Sequence, residues 1–189
     1  MADQDPLPLA TACASVARCV VATARLLAAR RVHQPRTHVG QWLRFDDESA
    51  AYVYRETVID RPTPSDPAVL VVGFRLRVIR GRSHDVFRPM SLLNTPLFVG
   101  FPGFVSKLWL ANDEHGVYRG LYQWDGAQQA EDYARALWWV LALVSVPGSI
   151  RHCVLPGLRR EDLLSNPGLI PRDETGAWWR LSAAPAPVP

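Results

Sequence analysis

The chain has 189 residues, enough for one well-buried core with an extension but too few for two large domains. Hydrophobic residues make up 48% and charged residues 21%, close to the average of soluble globular proteins, which excludes a wholly disordered chain. The net charge is only +3, and no segment combines a dense basic stripe with interleaved aromatic residues. We therefore expect no nucleic-acid partner.

The three cysteines and the apolar N-terminus bear on the cellular compartment. The cysteines have neither CxxC spacing nor a histidine-rich companion segment, which predicts reduced thiols in a cytoplasmic protein. The apolar stretch from Leu7 to Leu27 is interrupted by Arg18 and Arg25, so we interpret it as an amphipathic helix and not as a targeting or membrane-spanning segment. We therefore expect no membrane partner.

Residues 1–60 predict a helix followed by a β-hairpin. Residues 10–31 combine strong helix formers with apolar side chains at helical spacing. Residues 40–45 and 51–59 alternate apolar and polar side chains on either side of a short acidic turn. The proline-rich connector 61–67 cannot supply the hydrogen-bond donors of a central strand. We therefore predict that residues 1–60 are an extension that ends at this connector.

A second unit, residues 68–158, begins with a long strand whose β-branched run predicts burial on both faces. Residues 84–99 predict a short, irregular helix broken by two prolines. Residues 104–111 and 117–124 predict two strands, which must be antiparallel neighbours because only a short polar turn separates them.

The pattern continues with a long helix and a fourth strand. We expect Asp125 to cap a helix over residues 127–144, because its carboxylate can accept from the first free amides. The late part of this helix is apolar on every side, which predicts its complete burial. Residues 149–155 predict the fourth strand. Residues 159–189 predict a tail with one short helix and a disordered, alanine- and proline-rich end.

The order strand, helix, hairpin, long helix, strand is that of ferredoxin-like folds. We therefore predict an α+β protein with a β-α-β-β-α-β domain and an N-terminal helix and β-hairpin extension. A four-stranded sheet with helices on one side leaves a second apolar face to cover, so we expect a homodimer.

Two segments resemble a known family. Residues 102–109, with the sequence PGFVSKLW, and residues 120–124, GLYQW, resemble the YdhR-type monooxygenase family and, more distantly, the antibiotic biosynthesis monooxygenase superfamily of dimeric α/β barrels. The resemblance covers residues 68–158 and implies two copies packed sheet against sheet, each with a pocket between its sheet and its helices. It also implies a range of reactions, from oxygenation to cyclisation, so it does not select one.

The two central strands carry the residues that could act in such a pocket. Lys107 and Trp109 share one face of the strand over residues 104–111, and we expect the opposite, leucine-rich face of this strand to pack on the helices. On the next strand Tyr118 and Tyr122 flank Gly120, which leaves space for a ligand. We expect Lys107 and Tyr122 to be catalytic, since a buried tyrosine hydroxyl can hold an enolate or phenolate oxygen. The structural alternatives are an ion-paired lysine and ordinary aromatic packing.

Further candidates lie outside these positions. His84 precedes Asp85, and this pair could provide a general base, although Asp85 could equally cap a helix. For Arg119 a salt bridge and a contact with an anionic ligand remain open. The residues we expect to bind substrate are Trp109, Tyr118, Arg119, Trp124, Phe74 and His152.

The sequence has no histidine pair with the spacing of a zinc site, no GxGxxG motif after a strand and no P-loop. We therefore expect neither a metal nor a cofactor. One hypothesis is a cofactor-independent enzyme of secondary metabolism that oxygenates or cyclises a hydrophobic aromatic or polyketide-like molecule. The other is a non-catalytic small-molecule-binding or dimeric interaction module. A closed pocket with a buried base favours the enzyme, and an exposed apolar face on the N-terminal helix favours the module.

Overall fold

The computed structural model describes residues 5–77, 95–170 and 177–182. Seven strands form one sheet, and every pair of neighbouring strands is antiparallel. The elements are α1 (Leu9–Ala28), β1 (Val32–His33), β2 (Trp42–Arg44), β3 (Ala50–Ile59), β4 (Pro67–Arg75), β5 (Phe104–Leu110), β6 (Val117–Asp125), α2 (Ala127–Val144), β7 (Arg151–Pro156) and α3 (Arg160–Ser165), followed by a 3-10 turn at Pro167–Leu169.

The strand order confirms the predicted fold class. Strands follow one another across the sheet as β1, β3, β5, β6, β4, β7, and β2 pairs separately with β3. The four strands of the predicted motif, β4 to β7 in chain order, lie in the sheet as β5, β6, β4, β7. The first and third of them, β4 and β6, are therefore neighbours at the centre, as in ferredoxin-like folds. Because β1 and β7 lie at opposite ends, the sheet is open and does not close into a barrel.

The N-terminal hairpin is part of this sheet. Strand β2 pairs with β3 as predicted, and β3 then pairs with β5 along most of its length. Helix α1 also joins the main core, where its Cys19 packs in the same cluster as residues of β4 and α2. The extension over residues 1–60 therefore shares its core with the segment that follows the proline-rich connector.

Two bulges change which side chains share a face. In β5 the register shifts between Phe104 and Ser106, so Phe104 joins Trp109 in the core on the helix side. In β3 the register shifts between Val53 and Arg55, and these two residues lie on opposite faces. An extra residue in one strand reverses the alternation beyond it. Simple alternation along residues 104–111 would place Phe104 on the face opposite Lys107, and the bulge is the reason that it lies on the same side of the sheet.

The sheet separates two hydrophobic clusters. The face with Lys107 and Trp109 packs against α1 and α2. The leucine-rich face, with Leu108, packs against Leu163 of α3 and Leu181. The prediction that the leucine-rich face packs on the long helices was therefore wrong. Strand alternation identifies the residues that share a face, but the connections between elements decide which face each helix covers.

Two predictions about α2 were also wrong. Asp125 does not cap the helix, which has Gly126 at its N-cap, because the Asp125 carboxylate accepts from the backbone amides of Ser65 and Asp66. These amides, with Arg61 nearby, lower the pKa of Asp125. The late part of α2 is not fully buried either, since Leu143 is 78% exposed.

The face that a dimer was predicted to cover is occupied by the chain itself. Helix α3 packs there, and residues 177–182 follow beside it, with Leu181 forming a β-bridge to Phe45. The Trp178 ring lies so close to Gly73 that a Cβ there would be 2.8 Å from it. A homodimer stays a prediction, but in the described part of the chain the face that motivated it is already covered.

Candidate functional site

A cavity of about 240 Å³ lies between the sheet and α2. Its walls come from β3, β4, β5 and β6 on one side and from α2 on the other, and Leu97 and Phe98 complete it. The predicted residues Lys107, Trp109 and Tyr122 all line this cavity. Three residues that were separate candidates in the sequence therefore meet at one site.

Strand register brings these side chains together. Lys107 on β5 pairs with Tyr122 on β6, and Trp109 pairs with Gly120. Residues two apart on a strand share a face, so the lysine, the indole and the phenol all point toward α2. Helix α2 contributes Tyr133 and several aliphatic side chains from the opposite side.

Lys107 is buried among aromatic rings. Its Nζ lies 3.2 Å from the ring centre of Trp109, 4.6 Å from that of Tyr122 and 4.7 Å from that of Phe98. Within the described residues it has neither a hydrogen bond nor a carboxylate partner. Burial lowers the pKa of the Lys107 amine well below its usual value, and the charge of Arg55 lowers it further. The amine can therefore lose its proton under conditions in which an ordinary lysine stays charged.

Lys107 is also the only lysine in the chain. The other 20 of the 21 basic residues are arginines. A guanidinium does not lose its proton in proteins, whereas a buried amine can, so lysine is the basic residue suited to proton transfer. This contrast was a signal in the sequence that would have strengthened the case for Lys107.

Tyr122 and Tyr133 form a buried pair of phenols. The Tyr133 hydroxyl donates to the Tyr122 oxygen at 3.2 Å. Burial raises the pKa of Tyr122, and burial together with the neighbouring Tyr122 raises the pKa of Tyr133. Both groups therefore keep their protons at neutral pH. Because Tyr122 accepts from Tyr133, its own proton can be donated to an oxygen atom in the cavity.

Arg55 lies beside this site, against Trp109 of the cavity wall. The sequence left it open whether Arg55 joins a charge cluster over the pocket or a solvated ion network, and it was not among the predicted site residues. Its guanidinium carbon lies 4.0 Å from the ring centre of Trp109, and Nη2 donates to Thr95. Trp109 is fixed by its own indole N–H, which donates to Thr57 at 3.2 Å. Burial lowers the pKa of Arg55 to about 10. The bulge in β3 turns this residue toward the cavity, and alternation alone does not show it.

Three further predicted residues line or border the cavity, and one of them points away from it. Phe74 stacks on Tyr118, with ring centres 6.0 Å apart, and both line the cavity as expected. Arg119 borders the cavity, but its guanidinium bonds Asp47 and Asp113 on the opposite side of the sheet. Of the two alternatives left open for Arg119, the salt bridge is the one found.

The remaining predicted residues do not line the cavity. Trp124 is fully buried and packs edge-to-face against Phe104. His152 lies on the helix side of the sheet, where its Nε2 is 2.9 Å from a carboxylate oxygen of Glu131. Neither residue therefore contributes to the cavity wall. His84 lies outside the described residues.

The space beside Gly120 is already filled. A Cβ at this position would lie 2.6 Å from the ring of Tyr122, so the phenol folds over the glycine. The space left by the missing side chain of Gly120 is therefore taken by Tyr122, although Gly120 still lines the cavity. Its small size instead lets the Tyr122 ring lie against the sheet and direct its hydroxyl toward Tyr133.

The described residues contain no group of three or more histidine, cysteine, aspartate or glutamate side chains that could hold a metal ion. The cavity wall is instead aromatic and aliphatic, and its polar groups are the Lys107 amine and the hydroxyls of Tyr54, Tyr118, Tyr122 and Tyr133. Such a wall suits an apolar organic molecule with a single acidic or carbonyl oxygen.

No protein-family model and no curated protein matches the sequence. Two solved structures are similar. One is an uncharacterized ferredoxin fold protein related to antibiotic biosynthesis monooxygenases from Listeria monocytogenes 4b F2365, with a TM-score of 0.42 and 12% identity over 59% of this chain and 66% of that chain. The other is an anthrone oxidase-like protein, with a TM-score of 0.40 and 13% identity over 59% of this chain and 55% of that chain. The chain thus spans less than two thirds of either protein. Both TM-scores are below 0.5, and the assignment of the fold rests on the strand order.

Proposed function

We propose that the chain binds a hydrophobic aromatic molecule in the cavity and that Lys107 removes a proton from it. One observation carries this proposal: the only lysine of the chain is buried in an apolar cavity without a carboxylate partner among the described residues. A buried, uncompensated amine is costly to stability, and such groups concentrate at functional sites. The proposal deepens the cofactor-independent enzyme hypothesis.

The size of the cavity limits the ligand. An apolar cavity of about 150 Å³ is large enough for benzene. The cavity here measures about 240 Å³, which suits a molecule of about two fused aromatic rings. Its aromatic wall, formed in part by Trp109 and Tyr122, offers faces on which a flat ring can stack.

Each polar group then has a distinct role. The neutral amine of Lys107 accepts a proton from a phenolic O–H or an acidic C–H of the ligand. The Tyr122 hydroxyl donates a hydrogen bond to the resulting oxyanion. The Tyr133 hydroxyl donates to the Tyr122 oxygen and holds it in place. Arg55 adds a positive charge near the same wall, which favours the anionic form of the ligand.

Oxygenation is the reaction that we propose for a ligand with an activated CH2 group. Its carbanion transfers one electron to dioxygen, and the radical pair combines to a peroxide anion. The peroxide anion takes back the proton held by Lys107 and becomes a hydroperoxide. Loss of water from the hydroperoxide leaves a carbonyl, so that CH2 and O2 become C=O and H2O. The ligand is the reductant, and the protein supplies only the base and the positioning. A narrower relation to YdhR-type proteins stays a proposal based on residues 102–109 and 120–124.

The test uses 1-naphthol, a two-ring phenol whose ionised form has a distinct absorption spectrum. We expect the protein to bind it and to lower its apparent pKa, because Lys107 takes up the proton and the bound naphtholate is stabilised. Lys107→Met keeps the side-chain length without the amine, so it should still bind naphthol but leave it protonated. Tyr122→Phe should reduce the ionised fraction while keeping the ring.

A matched control is His152→Gln, a buried polar position on the same side of the sheet but outside the cavity wall. It should bind and ionise naphthol as the unchanged protein does. The proposal fails if naphthol bound to the unchanged protein stays protonated at every pH below the pKa of free naphthol in water. It also fails if Lys107→Met ionises naphthol equally well.

Non-catalytic binding is the second candidate, and the outer side of α1 supports it. Leu9, Val20, Val21 and Leu27 are exposed there, a feature expected of an interaction module. Binding of naphthol without any change in its ionisation would favour this candidate over the enzyme.

A further inference from the structure

A second cavity, of about 350 Å³, lies on the side of the sheet opposite the candidate site. It is found where β4 ends and where β6 and β7 begin, beside the turn that leads into β7. We call this cavity the arginine recess. The titratable side chains that line it are those of Asp47, Arg75, Asp113, His115, Arg119 and Arg151. The recess is therefore polar, in contrast to the apolar cavity around Lys107.

Strand register brings the three arginines of the recess together. Gly73 of β4 pairs with Arg119 of β6 on one side and with Arg151 of β7 on the other. Arg75 follows Gly73 by two residues on β4, and residues two apart on a strand share a face. Three neighbouring strands therefore each direct one arginine to the same side at the same end of the sheet.

Both carboxylates of the recess are already used by bonds within the chain. One oxygen of the buried Asp113 accepts from two backbone amides of the turn that follows it, and the other accepts from Arg119. One oxygen of Asp47 accepts from Ser49, and the other accepts from Arg119 at 3.0 Å. The two carboxylates thus hold the buried Arg119 and do not pair with the other two arginines.

The guanidinium groups of Arg75 and Arg151 have neither a hydrogen bond nor a carboxylate partner among the described residues. With three arginines against two carboxylates, the recess has a net charge of +1. The imidazole of His115 also lines it, 4.0 Å from the exposed carboxylate of Glu114. Burial lowers the pKa of Arg151, and the charges of Arg119 and Arg75 lower it further, against the effect of the two carboxylates. A bound anion would relieve this repulsion between like charges.

The arginines are held in place before any ligand binds. The guanidinium carbon of Arg151 lies 4.7 Å from the ring centre of Trp178, and the Trp178 carbonyl accepts from Arg119 at 3.2 Å. The backbone amide of Arg75 donates to the hydroxyl of Ser149 in the turn before β7. Groups that are already positioned lose less conformational freedom when a ligand binds. The recess is therefore a prepared site and differs from scattered arginines on a surface.

The number of free guanidinium groups indicates the class of anion. A carboxylate has two oxygens and one charge, which a single guanidinium can satisfy with two parallel hydrogen bonds. A phosphate group has three terminal oxygens and up to two charges, so it can use the N–H groups of both Arg75 and Arg151. We infer that the arginine recess binds a phosphate group. The shared chemistry covers free phosphate and a small organic phosphate, and this binding is independent of the proton transfer proposed for Lys107.

The experiment titrates the full chain by isothermal calorimetry in a phosphate-free buffer of low ionic strength. The probes are phenyl phosphate, inorganic phosphate and succinate. We expect saturable binding of one phosphate compound per chain, tighter than that of succinate. Tighter binding of phenyl phosphate than of inorganic phosphate assigns the recess to an organic phosphate, and the reverse order assigns it to free phosphate. Absence of saturable binding of both phosphate compounds overturns the inference, as does tighter binding of succinate.

Variants locate the binding. Arg75→Gln and Arg151→Gln should each weaken phosphate binding by at least about tenfold, from the usual value of a hydrogen bond to a charged group. Arg18→Gln is the matched control, because Arg18 is an exposed arginine of α1 that bonds only groups of its own helix. It changes the net charge by the same amount and should bind phosphate as the unchanged protein does.

The variants also separate this inference from the proposed function. All three positions are exposed, so the thermal midpoints without ligand should stay unchanged. Naphthol should ionise equally in Arg75→Gln, Arg151→Gln and the unchanged protein, because the recess and the cavity of Lys107 lie on opposite sides of the sheet. Equal loss of phosphate binding in Arg18→Gln would show that binding follows net charge alone and would overturn the inference. Unweakened binding in both recess variants would do the same.

Discussion

The buried amine of Lys107 should make the stability of this protein depend on pH in a specific direction. Its pKa is lowered in the folded chain, whereas an unfolded chain restores the ordinary lysine value of about 10.4. At any pH between these two values, the unfolded state binds a proton that the folded state does not. The free energy of unfolding therefore rises with pH across this window, by up to about 1.4 kcal/mol per pH unit.

Lys107→Met removes this titration and keeps an apolar side chain of similar length. The difference in unfolding free energy, unchanged protein minus variant, should increase with pH by up to about 1.4 kcal/mol per pH unit and level off above about pH 10.4. At neutral pH the variant should be the more stable protein, because an uncompensated buried amine has been removed. Burial also raises the pKa of Cys19 and of Cys153, but these thiols titrate in both proteins and cancel in the difference.

Urea unfolding followed by tryptophan fluorescence at a series of pH values gives this difference directly. Because the chain has one lysine, selective labelling of lysine side chains with carbon-13 gives one side-chain signal whose titration reports the same pKa. A stability difference that stays constant from pH 7.5 to pH 10, together with an ordinary titration of the signal near pH 10.4, would refute the reasoning.

Three further predictions concern the groups around Lys107 and the salt bridge on the other face. Tyr122→Phe should lower the unfolding free energy by about 1 kcal/mol, the net value of its hydrogen bond with Tyr133, as measured by urea unfolding. Gly120→Ala should cost about 1–3 kcal/mol and weaken naphthol binding, because the new methyl group displaces the Tyr122 ring; unchanged stability would show that the ring moves freely. Asp113→Asn should cost about 3–5 kcal/mol by leaving the buried Arg119 without its main carboxylate, with naphthol ionisation unchanged; a loss below about 1 kcal/mol would contradict this account.

The sequence determined the features that depend on local order. The hairpin from β2 to β3 and the adjacency of β5 and β6 followed from short turns between alternating segments, since such connections leave only antiparallel pairing. Alternation also placed Lys107 and Trp109 on one face, and Tyr118 and Tyr122 on one face of the next strand. These four residues line one cavity because the two faces that carry them lie on the same side of the sheet.

Tertiary structure decided what local patterns leave open. A bulge shifts a strand by one residue, and it brought Arg55 to the cavity against simple alternation. From the sequence Arg119 could form a salt bridge or bind an anionic ligand, and the carboxylates of Asp47 and Asp113, which lie in other segments, selected the salt bridge. Contacts between residues far apart in the chain decided which side of the sheet the C-terminal segment covers. Because that segment covers the face expected to need a partner, the argument for a dimer is lost. Burial and pairing are properties of such contacts, so they appear only once the chain has folded.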